Sequence, residues 1–358
     1  VFDFSIGNPV MEPPAEFFAE MKKLANAASS GVHGYMSNAG YVETRAAVAR
    51  QISAEIGMQF SSEDIIMTCG AAGGLNVILK SILNPGDEVI IFSPFFSEFV
   101  NYIDNHGGIV KILPGDSSFI PDLAALESSL SQKTKAVLLN SPNNPTGVVY
   151  GNDFIIALTD LLKRKEKEFS RPIFLINDEA YRKLLYDGMQ FPFIQPYYEN
   201  SLTVNSHSKD LSLPGERIGY ITVNPQCYLH DDLIAALVYS NRTLGFVNAP
   251  ALMQRIVTKL QNVTIALEEY EKKRDFLYEN LTRIGYQVVK PGGAFYIFPK
   301  APIDDDFAFV AELRKWNILT VPGTGFGAPG YFRIAYCVGP STVENSISGF
   351  TKAFEKFN

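Results

Sequence analysis

A lysine flanked by small hydroxyl residues, with an arginine eight positions on, suits the covalent capture of a phosphorylated aldehyde. The chain has this in Ser206-His207-Ser208-Lys209-Asp210-Leu211-Ser212-Leu213-Pro214-Gly215-Glu216-Arg217-Ile218-Gly219-Tyr220. The Lys209 amine can form a Schiff base with a carbonyl. Arg217 and Ser206, with Ser208 beside them, can grip a phosphate through charge-assisted hydrogen bonds. Lysine near serine and glycine is also common in solvated loops, so this chemistry requires further pieces elsewhere, in order.

Those pieces are present. Asn140-Ser141-Pro142-Asn143-Asn144-Pro145-Thr146-Gly147 directly follows an apolar strand-like run, and on its own it reads as a set of turn formers. Asn177-Asp178-Glu179-Ala180-Tyr181 ends another such run, where an aspartate commonly caps a helix. Thr68-Cys69-Gly70-Ala71-Ala72-Gly73-Gly74 joins a strand to a helix, so free N–H groups and the helix dipole converge where a phosphate could sit. Arg333 lies in the apolar and aromatic run Tyr331-Phe332-Arg333-Ile334-Ala335. A guanidinium buried there needs a partner, and its fork suits a carboxylate.

Together these motifs resemble the class I/II aminotransferases that depend on pyridoxal phosphate, from Gly7 to Arg333. The resemblance implies a Schiff base of the cofactor with Lys209 and transamination from an L-amino acid to a 2-oxo acid, with Lys209 as proton carrier. It implies that Asp178 keeps the cofactor's ring nitrogen protonated, and that Asn144 and Tyr181 hydrogen-bond the ring oxygen. Phe96, in Pro94-Phe95-Phe96, would stack on the ring, with Phe95 in the core. The phosphate falls to Gly70, Ala71, Ala72, Ser206, Ser208 and Arg217. Many relatives carry a hydroxyl where this chain has Ala71 and Ala72, which leaves only backbone donors there. Arg333 would bind the substrate carboxylate, with Asn144 and with Gly7 of Ser5-Ile6-Gly7-Asn8-Pro9 beside it. Tyr35 would reach the phosphate of a neighbouring subunit, which implies a homodimer with shared active sites. Glu179 points away and His207 is a local hydrogen-bonder. The same motifs serve carbon–sulfur β-lyases, decarboxylases and cyclopropane-forming synthases on this scaffold, an alternative the residues leave open. Arg242 is a candidate for a second cation that would select dicarboxylates.

The elements that must position these groups are legible as a series. Short, almost wholly apolar strands alternate with helical periods through the first two thirds of the chain, which reads as α/β with a mostly parallel sheet covered on both faces. The resemblance makes this fold type I, a mixed seven-stranded sheet with a smaller α+β C-terminal domain. The division expected is a large cofactor-binding domain of residues 31–250, and a small domain of 1–30 with 251–358. One long helix is expected from about Ala251 to Arg283.

Composition bounds the rest. With 46% hydrophobic and 19% charged residues among 358, a sizeable core is feasible. A net charge of −7 argues against a nucleic-acid or anionic-membrane partner. Three scattered cysteines suggest thiols in a reducing compartment. With no apolar span or signal-peptide pattern read at the start, the cytoplasm is the expected location. His33, His106, His207 and His230 show no metal-ligand spacing.

Overall fold

Apolar runs bounded by Gly, Pro and Asn form the strands, because a strand buried on both faces has no place for alternating polar residues. Residues 1–27 and 31–357 are described, from a computed structural model. The domain boundary expected at residue 30 lies outside them. After a short β1 (Phe2–Asp3), seven strands form one sheet. They are β2 (Ile65–Thr68), β3 (Glu88–Ser93), β4 (Ile109–Pro114), β5 (Thr134–Asn140), β6 (Phe174–Asp178), β7 (Ser201–Ser206) and β8 (Gly219–Val223). Their order is β2-β8-β7-β6-β5-β3-β4, and only β8 runs antiparallel to its neighbours. This is the expected mixed, mostly parallel seven-stranded α/β sheet.

Alternate residues of each strand face opposite layers. Val89 and Ile91 pack with Leu75, Ile78, Phe99 and Leu237 on one side. Ile90 and Phe92 pack with Leu126, Leu158 and Leu162 on the other. Each such side chain contributes about 1.5–3 kcal/mol on burial.

Strand direction is what assembles the chemistry. Since β2 and β7 are both antiparallel to β8, they run the same way as β5 and β6, so the C-terminal ends of all four lie along one edge. Registers align Asn140 with Asp178 across β5 and β6, and place Ser206 and Thr68 both opposite Gly219. A crevice at such strand ends is where open α/β sheets bind ligands.

The remaining strands are β9 (Tyr296–Ile297), β10 (Ile318–Leu319), β11 (Val321–Pro322) and β12 (Phe332–Ala335). They make a three-stranded sheet in the order β11-β12-β9 and a β1-β10 pair. Phe4, Leu277, Leu281, Phe309, Phe332 and Phe350 share one apolar core there. The helix Ala15–Asn26 lies elsewhere, with Phe17 packed among Val48, Met67, Tyr220 and Ile256.

The single long helix expected from Ala251 is two helices, Ala251–Val257 and Leu267–Ile284. Between them the chain turns toward the Lys209 segment: Ile265 N–H and Thr264 Oγ1 both donate to the Asp210 carbonyl. Helical periodicity cannot register that tertiary demand, and the β-branched Val263-Thr264-Ile265 run yields to it at little cost.

Candidate active site

Four strand ends, the Ser5–Gly7 turn and β12 enclose a cavity of about 420 Å³. Lys209 enters it from the short helix His207–Asp210 that follows β7. Its Nζ donates to the Gly7 carbonyl at 2.9 Å and lies 5.3 Å from the Phe295 ring centroid. Burial pushes this ammonium down to about 8; Cys337 and Asp178 oppose the shift, and Arg217 and Arg333 add to it. The Lys209 backbone is braced from behind. Buried His207 Nδ1 lies 3.2 Å from Asp210 Oδ2. Against the upward push of burial, His207 and Lys183 hold the Asp210 carboxyl below the usual carboxylate range.

Asp178 closes β6 and lines the same cavity. Burial pushes its carboxyl up to about 7, opposed by the Ala180 N–H, which donates to Oδ1 at 3.2 Å, and by Lys209. No Lys, Arg or His among the described residues pairs with it. Glu179 does not line the cavity; it is buried behind it, accepting from Asn177 Nδ2.

The Tyr181 and Tyr296 hydroxyls are 2.8 Å apart. Burial and the neighbouring Tyr296 hydroxyl push the Tyr181 phenol well above its ordinary value. Asn144 N–H donates to Asn140 Oδ1, and Asn144 Oδ1 accepts from Arg333 Nη1 at 3.0 Å. Arg333 Nη2 donates to the Ser5 carbonyl at 2.7 Å, and the guanidinium lies over the Tyr296 and Phe326 rings. It has no carboxylate partner among the described residues, and its buried Nε takes no hydrogen bond.

Ala71 and Ala72, which also line the cavity, belong to the first turn of the helix Gly70–Ile82, which lacks a side-chain cap. The Ser206 and Ser208 hydroxyls are 2.7 Å apart beside Arg217. Arg217 adopts a left-handed φ of 52° and donates to the Pro214 carbonyl. Gly70 stands behind it, where a Cβ would meet Arg217 Nη2 at 3.0 Å. Phe96 lines the cavity and meets Phe99 edge-on, while Phe95 is buried in the core.

Two further candidate residues lie outside this chain's own cavity. Tyr35 is 92% exposed and does not line the cavity of its own chain. Arg242 ends the helix His230–Thr243, exposed and away from the cavity. Glu98, Ser97, Tyr296, Phe326 and Ile6 also line the wall, though no expected role in the sequence points to them. Glu98 stands two positions after Phe96, which was the one available signal.

A cationic pocket with a buried amine, an unpaired buried acid and an uncapped helix start belongs to an enzyme that holds an anionic carbonyl cofactor. The aminotransferase class I and II family model matches residues 1–350, and the chain belongs to that family. It is a pyridoxal-phosphate-dependent aminotransferase. It is 32% identical to the probable aspartate/prephenate aminotransferase of Thermus aquaticus, over 98% of this chain and 90% of that one. It is also 32% identical to the aspartate/prephenate aminotransferase of Thermus thermophilus, over 95% and 89%. An aminotransferase crystal structure from Eubacterium rectale superposes with a TM-score of 0.97 at 42% identity, covering 99% of this chain and 90% of that one.

The residues present fit pyridoxal phosphate. Asp178 is a buried acid without a fixed cation. The uncapped start of the helix Gly70–Ile82 and Arg217 line the cavity together, with Gly70 against the guanidinium, a pairing suited to a phosphate.

Proposed function

We propose that Lys209 carries the cofactor and moves the proton in transfer of an amino group from an L-amino acid to a 2-oxo acid. Pyridoxal phosphate supplies the carbonyl for that amine and a ring that takes up an electron pair. The observation that carries the reading is the Lys209 Nζ itself, an amine partly neutral near pH 8 inside a cationic cavity. A neutral amine is required to take and return the proton at the substrate α-carbon.

Asp178 is assigned to the ring nitrogen, whose positive charge compensates the buried carboxylate. Asn144 and Tyr181 would hold the ring through hydrogen bonds, and Phe96 would pack against it and exclude water. Ser206, Ser208, Arg217 and the Gly70-Ala71-Ala72 backbone hold the phosphate. Arg333, steadied by Asn144 and the Ser5 carbonyl, takes the substrate carboxylate through its fork, with Gly7 beside it.

The reading extends to a homodimer, supported by the exposed Tyr35, and to a cytoplasmic location, supported by three free cysteines. It divides the chain into a body of residues 31–250 and a smaller one of 1–30 with 251–358. The core around Phe4 and Phe350 supports the smaller body, although Phe17 and Ile256 pack on the larger.

Borohydride reduction of the holoenzyme, digestion and peptide mapping test the assignment. A pyridoxyl adduct on Lys209 is expected; an adduct elsewhere, or none, discards it. Offering one amino acid with and without a 2-oxo acid separates the chemistry, since pyruvate or ammonia released without an acceptor would mark a lyase.

A further inference from the structure

Once Lys209, Asp178, Arg217 and Arg333 have their tasks, one charged group on the cavity wall is left over, and it is an acid. Glu98 opens the helix Glu98–Asp104 directly after the Phe96 turn and lines the cavity with Ile6, Tyr296 and Phe326. Its Oε2 accepts from the Ser97 hydroxyl at 2.9 Å, which fixes the carboxylate. Its Oε1 takes no hydrogen bond from any other described residue, and no Lys, Arg or His among them comes within ion-pair distance. Burial raises Tyr102, with Glu98 and Asp178 adding to it and Arg217 opposing; burial also raises Tyr296 to about 12, with Glu98 among the lesser contributors. Tyr296 is the ring beneath Arg333. Glu98 therefore shares its cavity with Arg333, Tyr296 and Phe326, on a wall that a substrate's side chain can meet.

A substrate held by its carboxylate at Arg333 and by its amine at Lys209 has its side chain as the remaining part free to meet this wall. A second carboxylate there meets like charge and no cation from this chain. An amide or ammonium N–H meets an acceptor with an open oxygen. We propose that Glu98 is a specificity residue that favours amino donors whose side chain ends in an N–H donor, a primary amide or amine, over those ending in a carboxylate. The proposal rests on the Arg333 and Lys209 reading above. It sets this chain apart from relatives whose names carry aspartate.

Unreactive analogues separate binding from turnover. Succinate and its monoamide, succinamate, lack the amine and differ only at one end, so calorimetric titration of the holoenzyme reads the preference directly. Succinamate should bind at least about tenfold more tightly than succinate. Glu98→Gln, which keeps the shape but removes the charge and replaces one acceptor oxygen by a donor NH2, should bring that ratio to about one or invert it. In parallel, the half-reaction rates should favour glutamine and ornithine over glutamate in the wild type, and the variant should narrow the difference. Equal binding of the two analogues by the wild type, or a ratio unchanged in Glu98→Gln, overturns the proposal. Propionate, which needs only Arg333, reports on the underlying reading. If propionate does not bind, the Arg333 assignment fails and Glu98 falls with it; if it binds and the ratio is one, only Glu98 falls.

Discussion

Lys209 Nζ donates to the main-chain carbonyl of Gly7 at 2.9 Å, joining groups 202 positions apart in the chain. The amino-terminal turn thus forms the floor against which the amine rests. Gly7 has to be glycine for a second reason: a Cβ there would stand 2.1 Å from Tyr296 Oη, the hydroxyl bonded to Tyr181. Gly7→Ala should displace Tyr296, cost about 1–3 kcal/mol of stability and lower kcat/KM about 10–100-fold. Denaturant titration and steady-state kinetics check both. A variant with wild-type kinetics would show that the turn does not bear on the amine.

Asp178 should make the cofactor-free protein less stable than it needs to be. Its carboxyl is raised from 3.8 to about 7 in the fold. Between those values the unfolded chain ionises while the folded one stays protonated, so stability falls as pH rises through the window. Above it the full difference remains, up to about 4 kcal/mol. Asp178→Asn removes the titrating group, so the cofactor-free variant should exceed the wild type in stability at about pH 8 and lose that advantage near pH 4. On the role proposed for Asp178, the same variant should lose at least about 100-fold in turnover, because the ring nitrogen would lose its anion. Urea titrations of both proteins at the two pH values decide the first part, and an advantage independent of pH would refute it.

Arg333 offers a cleaner separation of binding from folding. Its partners are the Asn144 side chain and the Ser5 carbonyl, and no buried acid among the described residues pairs with it. Arg333→Ala should therefore leave no carboxylate stranded, and its main effect should be on ligands. Removal of a two-bond charge-assisted grip predicts a loss of about 10–100-fold in propionate affinity and a matching rise in KM for every amino acid. Arg333→Lys should recover only part of it, since a point charge cannot supply the fork. Calorimetry with propionate reads this without turnover.

The parts of this site that were legible in the sequence sit where a short polar motif interrupts an apolar strand. Asp178 ends such a strand, Lys209 and Asn144 each follow one within a few residues, and parallel strand direction then carries them to one edge. Arg333 was legible as a lone charge in an apolar run. Glu98 and Tyr296 were not, because nothing local states which way a side chain at the start of a seven-residue helix, or in a two-residue strand, will face. The break after Val257 was hidden for a related reason: the bonds that end the helical run go to Asp210, a partner distant in sequence. The packing of Phe17 against Ile256, away from the core that holds Phe4, is likewise set by tertiary contacts alone.

Tyr35 is where a dimer can be tested through chemistry instead of mass. It is 92% exposed and outside its own chain's cavity, so any service to the phosphate must be to a partner's. Take two variants, Lys209→Ala and Tyr35→Ala, the first expected to be inactive and the second impaired in cofactor retention. In a mixed dimer, one site combines both substitutions and the other has neither. Subunit exchange gives mixed dimers half the time, with one intact site in each, so an equimolar mixture should rise to at least about a quarter of wild-type activity. The gain should appear with the kinetics of subunit exchange and at cofactor concentrations where Tyr35→Ala alone has lost its cofactor. If Tyr35 acted within its own subunit, no combination would generate an intact site beyond those the single variants possess. Activity would then stay at the average of the two, and the shared-site reading would be abandoned.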